Sequence, residues 1–421
     1  MKKIILLLMV LFTTVCYAQS DFEIAQSFMN EKGVKLVPNE RSITRGTDTP
    51  YSIFNGSEGK GFCIVVNGKV VGYDIENTAN TDDLPIQLKE MLEVYSKIPS
   101  KGMTRGNGTE YPDWYERKDV TPIEPMVKTK WGQGYPYNEW CPLGVETHNY
   151  VDGSVKYDTI HCPVGCTGTA LAQVMSYYKP KGTVAEIPAD YGTVTRFADG
   201  KEHVKLDTIL PITDFKWDLM KNTYGSREPL SKKEIDAIAE LMLYCARMCN
   251  TYWNVSSGGG FINDHRGYWY FGYGKDEIYC FDITELSDYD AYDKYLEQGY
   301  PLVCGAHGHA FVVDGRNEVG MYHVNFGWRG NSNGYYALYN DSIYNNVDIN
   351  HQWTNYYFAK EERNLVFLIK PNQTSDINGL TAYAKPSDES VYNLQGRKVG
   401  NSLEGLPKGI YIQNKKKYII K

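Results

Sequence analysis

The apolar run Leu171, Val174, Met175 and Tyr178 is the strongest constraint on the fold. It repeats at the spacing of a helix that turns one face inward, and Pro180 ends it. Directly before it stands Gly165-Cys166-Thr167-Gly168-Thr169-Ala170. The pattern predicts a helix over 167–178, with Cys166 at or just before its N-terminus. There the first N–H groups are free and the positive end of the helix dipole lies. Both favour thiolate over thiol, so the position predicts a depressed pKa and, beside a base, a nucleophile. A structural cysteine opening a helix would read the same way, so the base must be sought elsewhere.

The best candidate is Gly308-His309-Ala310-Phe311-Val312-Val313-Asp314-Gly315, a strand-like run that opens on His309. Tyr322-His323-Val324-Asn325-Phe326 reads as the returning strand. If Asp314 and Gly320 flank the turn, His309 lies across from Asn325, and the two side chains share one face. An amide oxygen on the ring N–H would fix the imidazole's tautomer and orientation, the third role in a triad. Upstream, Trp131-Gly132-Gln133 offers a side-chain amide that can donate to a developing oxyanion.

The chain of 421 residues exceeds one ordinary domain. Its Lys and Arg are scattered and its net charge is -7, so no basic stripe marks a nucleic-acid binder. Lys2 and Lys3 precede an apolar run from Ile4 to Phe12, then Cys16-Tyr17-Ala18. That order predicts a signal peptide over 1–18 and a secreted or cell-surface protein. No later segment is long and apolar enough to predict a membrane span. Of nine cysteines, eight follow the signal, and their irregular spacing leaves the pairing open.

Residues 19–118 read as a small α/β unit and a linker. Phe62–Val66 and Lys69–Tyr73 flank Asn67-Gly68, a strong hairpin signal. The stretch after Pro99 is polar, basic and open to cleavage, which suits a propeptide as well as an ordinary interdomain linker. Residues 119–371 mix helical patterns with short aromatic and β-branched strands, an α+β pattern. Residues 380–421 form a small β element with glycine turns.

Taken together, these motifs resemble the streptopain family of papain-like cysteine peptidases. The matching strings are Trp131-Gly132-Gln133, Pro136-Tyr137-Asn138, Cys141-Pro142, Gly165-Cys166 with Ala170, Ala172-Gln173-Val174-Met175 and Tyr178, Ser257-Gly258, Gly308–Gly315, Tyr322–Asn325, Gly327-Trp328 and Asn333–Tyr336. The resemblance implies a papain-like fold preceded by an inhibitory propeptide. It also implies Cys166 as nucleophile, His309 as proton acceptor, Asn325 as orienting residue and Gln133 as oxyanion donor. Gly308, Ser257, Gly258 and Trp328 would line the substrate cleft. The partners implied are polypeptide substrates and the chain's own propeptide, with no cofactor. Gly168-Thr169 replaces a bulkier pair, a departure that would bear on specificity. The C-terminal element resembles the short sorting or anchoring tails of exported bacterial proteins. Two other readings compete: a catalytically silent binding or inhibitor module, and a zinc protein using Cys162, Cys166, His307 and His309.

Overall fold

The computed structural model describes residues 20–38, 51–82, 120–182, 184–189, 193–195, 203–225, 229–256, 258–260, 278–282, 289–306, 309–337 and 365–369. It also describes the C-terminal strands at 391–393, 398–400, 409–413 and 416–420, and Leu84, Leu88, Lys89, Leu92 and Pro407. The expected signal segment, most of the linker, Ser257, His307 and Gly308 lie outside these residues.

The N-terminal unit begins with α1 (Asp21–Asn30), opened by a capping box in which Ser20 and Glu23 satisfy each other's backbone N–H. Three strands follow: β1 (Tyr51–Asn55), β2 (Phe62–Val66) and β3 (Lys69–Asp74). The β2–β3 turn is the expected Asn67-Gly68, with φ of 49° and 74°, the left-handed pair that a tight hairpin needs. A second pair, β4 (Leu143–Asn149) and β5 (Val155–His161), forms a two-stranded ribbon with Tyr150, Val151 and Tyr157 exposed near its tip.

Two helices pack at the centre. The helix α2 spans Cys166–Tyr178, and every residue from Thr167 to Met175 is buried. The helix α3 spans Lys232–Met248 and opens on a second capping box, Ser231 with Glu234. A small sheet of β6 (Thr193–Thr195), β7 (His203–Lys205), β8 (Tyr252–Trp253) and β9 (Gly258–Gly259) lies beside them. The remaining strands are β10 (Ile278–Asp282), β11 (Leu302–Ala306), β12 (His309–Arg316), β13 (Tyr322–Asn325), β14 (Gly334–Tyr336) and β15 (Leu365–Ile369), with α4 (Tyr289–Glu297) between β10 and β11. At the C-terminus, β16 (Val391–Asn393), β17 (Lys398–Gly400), β18 (Gly409–Gln413) and β19 (Lys416–Ile420) form a separate four-stranded sheet.

The largest sheet joins the two halves of the chain. Its order is β1-β2-β3-β14-β13-β12-β11-β15-β10, antiparallel at every step. The junction is short: Tyr73 pairs with Tyr335 and Gly72 with Tyr336. The two tyrosines stack at 5.4 Å. A side chain on Gly72 would meet the Tyr336 ring at 2.8 Å, so glycine is what lets the strands close. One apolar core runs across this junction, from Met29, Phe62 and Val71 to Phe311, Val324, Phe326 and Tyr336. A second core holds α2 and α3 against Trp131, Tyr137, Val303 and Val312. Among the described residues no helix is long and apolar enough to cross a membrane.

Gly168 belongs to the second core. A Cβ there would lie 2.8 Å from both Cα and Cβ of Ala246 on α3. The glycine thus serves the helix–helix contact. Gly168→Ala is expected to lower stability by about 1–3 kcal/mol through overpacking. Gly225→Ala, where nothing lies within 4 Å, should change it by less than about 0.5 kcal/mol. Denaturant midpoints of the two variants check both values.

Candidate active site

Cys166 is the first residue of α2, and its N-cap is Gly165 at φ 93°. A Cβ on Gly165 would sit 2.5 Å from the carbonyl oxygen of Gly258. One on Gly258 would sit 2.8 Å from the carbonyl oxygen of Pro163. The turn that presents the sulfur is therefore pressed against β9, and two glycines permit the approach. Cys166 as a residue is half-buried. Burial of its surroundings raises its pKa, and the opposing N–H of Ala310 and the hydroxyl and N–H of Thr167 only moderate the rise. The expected depression is thus overturned: the helix terminus does favour the thiolate, but desolvation outweighs it.

His309 opens β12, one residue before the Ala310 N–H that faces the sulfur. Its Nε2 lies 3.0 Å from the carbonyl oxygen of Phe326. A carbonyl can only accept, so Nε2 carries the hydrogen and Nδ1 keeps the lone pair that a base requires. Trp328 stacks on the ring at 4.4 Å and 19°. Phe326 in turn stacks on Trp328 at 5.1 Å. Burial lowers the imidazole's pKa to about 4, against the raising effect of the Phe326 carbonyl. In this arrangement desolvation disfavours the charged form of both the thiol and the imidazole.

The expected pairing of His309 with Asn325 is not what forms. Asn325 lies opposite Val312, because β12 runs on past Asp314 to pair Arg316 with Tyr322, and a bulge falls between Val313 and Gly315. Extending the Val312–Asn325 register by three residues brings Trp328 across from His309, in keeping with their stacking. The Asn325 amide is occupied elsewhere. Its Nδ2 donates to the Thr129 carbonyl at 2.7 Å, and its Oδ1 accepts from the Gly327 N–H at 3.1 Å. It braces the turn that carries Phe326, whose carbonyl holds the ring.

The oxyanion candidate arrives on a fixed arm. The Gln133 carbonyl accepts from Val164 N–H at 2.9 Å, two residues before Cys166, and the Gln133 side chain is half-buried. Trp131 is anchored at three points. Its N–H donates to Gln173 Oε1 at 3.2 Å, its carbonyl accepts from Arg329 N–H at 3.0 Å, and its indole donates to the Lys221 carbonyl at 2.8 Å. A side chain on Gly132 would strike Arg329 Cγ at 2.7 Å, which accounts for the glycine between Trp131 and Gln133. Sequence reasoning gave Gln173 no role; its one signal was an amide on an otherwise apolar helix face.

Of the four residues in the zinc reading, His307 lies outside the described residues and His309 Nε2 is taken by Phe326. Among the described residues no group of three or more His, Cys, Asp or Glu is gathered for a metal.

Residues 131–336 match the model of the Peptidase C10 family. This segment belongs to the peptidase C10, or streptopain, family. Streptopain of Streptococcus pyogenes is 31% identical over 241 residues, which are 51% of this chain and 56% of that protein. The chain thus spans little more than half the length of that relative. The thiol protease/hemagglutinin PrtT of Porphyromonas gingivalis is 25% identical over 318 residues, 68% of this chain and 34% of that one. A solved fragment of Prevotella intermedia prointerpain A superposes with a TM-score of 0.54 at 22% identity, covering 79% of this chain and 97% of the fragment. That likeness establishes the fold: the α+β, papain-like architecture of the C10 peptidases.

The buried imidazole has a consequence for stability. Its folded pKa of about 4 lies below its ordinary 6.5, so between these values the unfolded chain binds more protons. Stability therefore rises with pH across this window and is lost as pH falls from about 6.5 to about 4, by on the order of 3 kcal/mol. His309→Gln should lose this part of the pH dependence. Denaturation midpoints of both proteins from pH 4 to 7 measure the difference.

Proposed function

We propose that this chain is a secreted cysteine endopeptidase made as an inactive precursor, with Cys166 as nucleophile and His309 as general base. The observation that carries the reading is the meeting of α2 and β12. The sulfur stands at the first turn of a buried helix and faces the N–H of Ala310, the residue after His309. A tautomer with its lone pair on Nδ1 is the form that can take the thiol proton.

In the reaction, proton transfer from sulfur to the imidazole accompanies attack of the sulfur on the scissile carbonyl carbon. A C–S bond forms and the carbonyl π electrons move to oxygen. The Gln133 side-chain amide and the Cys166 N–H donate to that oxyanion. On collapse the C–N bond breaks, and the amine leaves with the proton from the imidazolium. Water, deprotonated by the imidazole, then attacks the thioester. The C–S bond breaks as the acid product departs, and the sulfur regains its proton from the imidazolium. The Phe326 carbonyl holds the ring through both transfers, the orienting role first given to Asn325.

Residues 19–118 act in this reading as the chain's own inhibitor. Phe62 of the N-terminal unit packs on Tyr336 at 6.3 Å, and Tyr336 meets Phe326 at 5.6 Å, in the aromatic cluster behind His309. Export rests on the order of residues at 1–18, and substrates would be extended polypeptides entering beside Gly258 and Trp328.

Two measurements test the proposal. Hydrolysis of a denatured protein substrate should rise at least tenfold after a clean cut near Arg105 or Arg117, and no rise would count against the inhibitory role. In the cut protein Cys166→Ala should lose turnover by three or more orders of magnitude, roughly the cost of deleting a nucleophile. Cys162→Ser should stay within about tenfold of the parent. Near-normal turnover in Cys166→Ala would remove it from the role.

A further inference from the structure

Gln173 lies on α2 seven residues after Cys166, two turns along, and so on the same helix face. Its side chain is fully buried. Oε1 accepts from the Trp131 N–H at 3.2 Å and lies 3.5 Å from the Thr129 hydroxyl. Among the described residues Nε2 has no hydrogen-bond partner. A buried amide with an idle donor costs stability, but an apolar residue of similar length would leave the buried Trp131 N–H without its acceptor. The position is therefore kept for the amide oxygen and for what that oxygen holds. What its oxygen does is hold the backbone two residues before Gln133, while Gln133 is tied by its carbonyl to Val164.

We propose that Gln173 is a positioning residue for the oxyanion site, fixing the Trp131-Gly132-Gln133 arm to the helix that carries the nucleophile. One rigid element then sets both the attacking sulfur and, through the Gln173 oxygen, the donor that meets the developing charge. Such a donor must be placed to a fraction of an ångström to favour the transition state over the substrate. The inference rests on the peptidase reading given above.

The test uses the full chain after cleavage near Arg105 or Arg117. It compares the parent with Gln133→Ala, Gln173→Met, Gln173→Asn, Gln173→Glu and the double variant Gln133→Ala with Gln173→Met. Gln173→Met keeps the length and removes the acceptor, and kcat should fall about 10- to 100-fold with KM within about twofold. Affinity for a peptide aldehyde, whose thiol adduct carries the oxyanion, should fall by a similar factor. Alkylation of Cys166 by iodoacetamide, which forms no oxyanion, should stay within about twofold. The double variant should be little worse than Gln133→Ala alone, as expected of two groups acting through one donor. Gln173→Glu retains an acceptor oxygen and should recover most of the lost rate.

If Gln173→Met does not fold, Gln173→Asn carries the test, since it withdraws the oxygen by one methylene and keeps the amide; it should show the same split. Full kcat in a folded Met or Asn variant overturns the inference and leaves the peptidase reading intact. So does equal loss of alkylation and turnover. A cut parent that neither hydrolyses peptides nor binds the aldehyde overturns both.

Discussion

The burial of α2 on every side from Thr167 to Met175 is the constraint from which the site follows. A helix so enclosed cannot rotate or slide without disturbing α3 at Ala246, β12 at Val312 and the segment around Trp131. Its first residue is therefore held as firmly as its middle, although Cys166 itself is partly exposed. The Gly165–Gly258 approach adds a second restraint at the same end. Close packing here serves placement, because the Cys166 sulfur can be no better fixed than the helix that carries it.

The imidazole is held by different means. Its ring is sandwiched into an aromatic group and tethered by one backbone carbonyl, with no carboxylate or side-chain amide on Nε2. The carbonyl orients the ring and favours its charged form, but burial outweighs that effect and depresses its basicity. Burial thus works against charge on both groups, raising the thiol's pKa and lowering the imidazole's. Asn325 and Gln173 do quieter work: both are buried amides that tie the 129–131 segment, one to β13 and one to α2.

Much of this was legible in the sequence. The α2 pattern, its opening at Cys166 and the Asn67-Gly68 turn are local signals, and they appear where periodicity and turn chemistry put them. The motifs around Trp131, Cys166 and His309 pointed to the right family because several of them occur in order. Three features were out of reach. The His309–Asn325 register depended on where β12 ended, and its two residues past Asp314 moved every partner. The thiol's pKa depended on burial contributed by distant elements. The β3–β14 junction rests on two residue pairs separated by more than 250 positions, with no local pattern to announce it.

That junction decides which edge of the sheet is left open. β14 ends the sheet of the C10 segment, and it presents Tyr335 and Tyr336 there. An uncovered strand of that kind invites pairing with any passing extended chain and is a common seed of aggregation. β3 occupies the position, and β1 at the far rim becomes the new boundary. The N-terminal unit thus covers a strand margin that would otherwise be open to pairing.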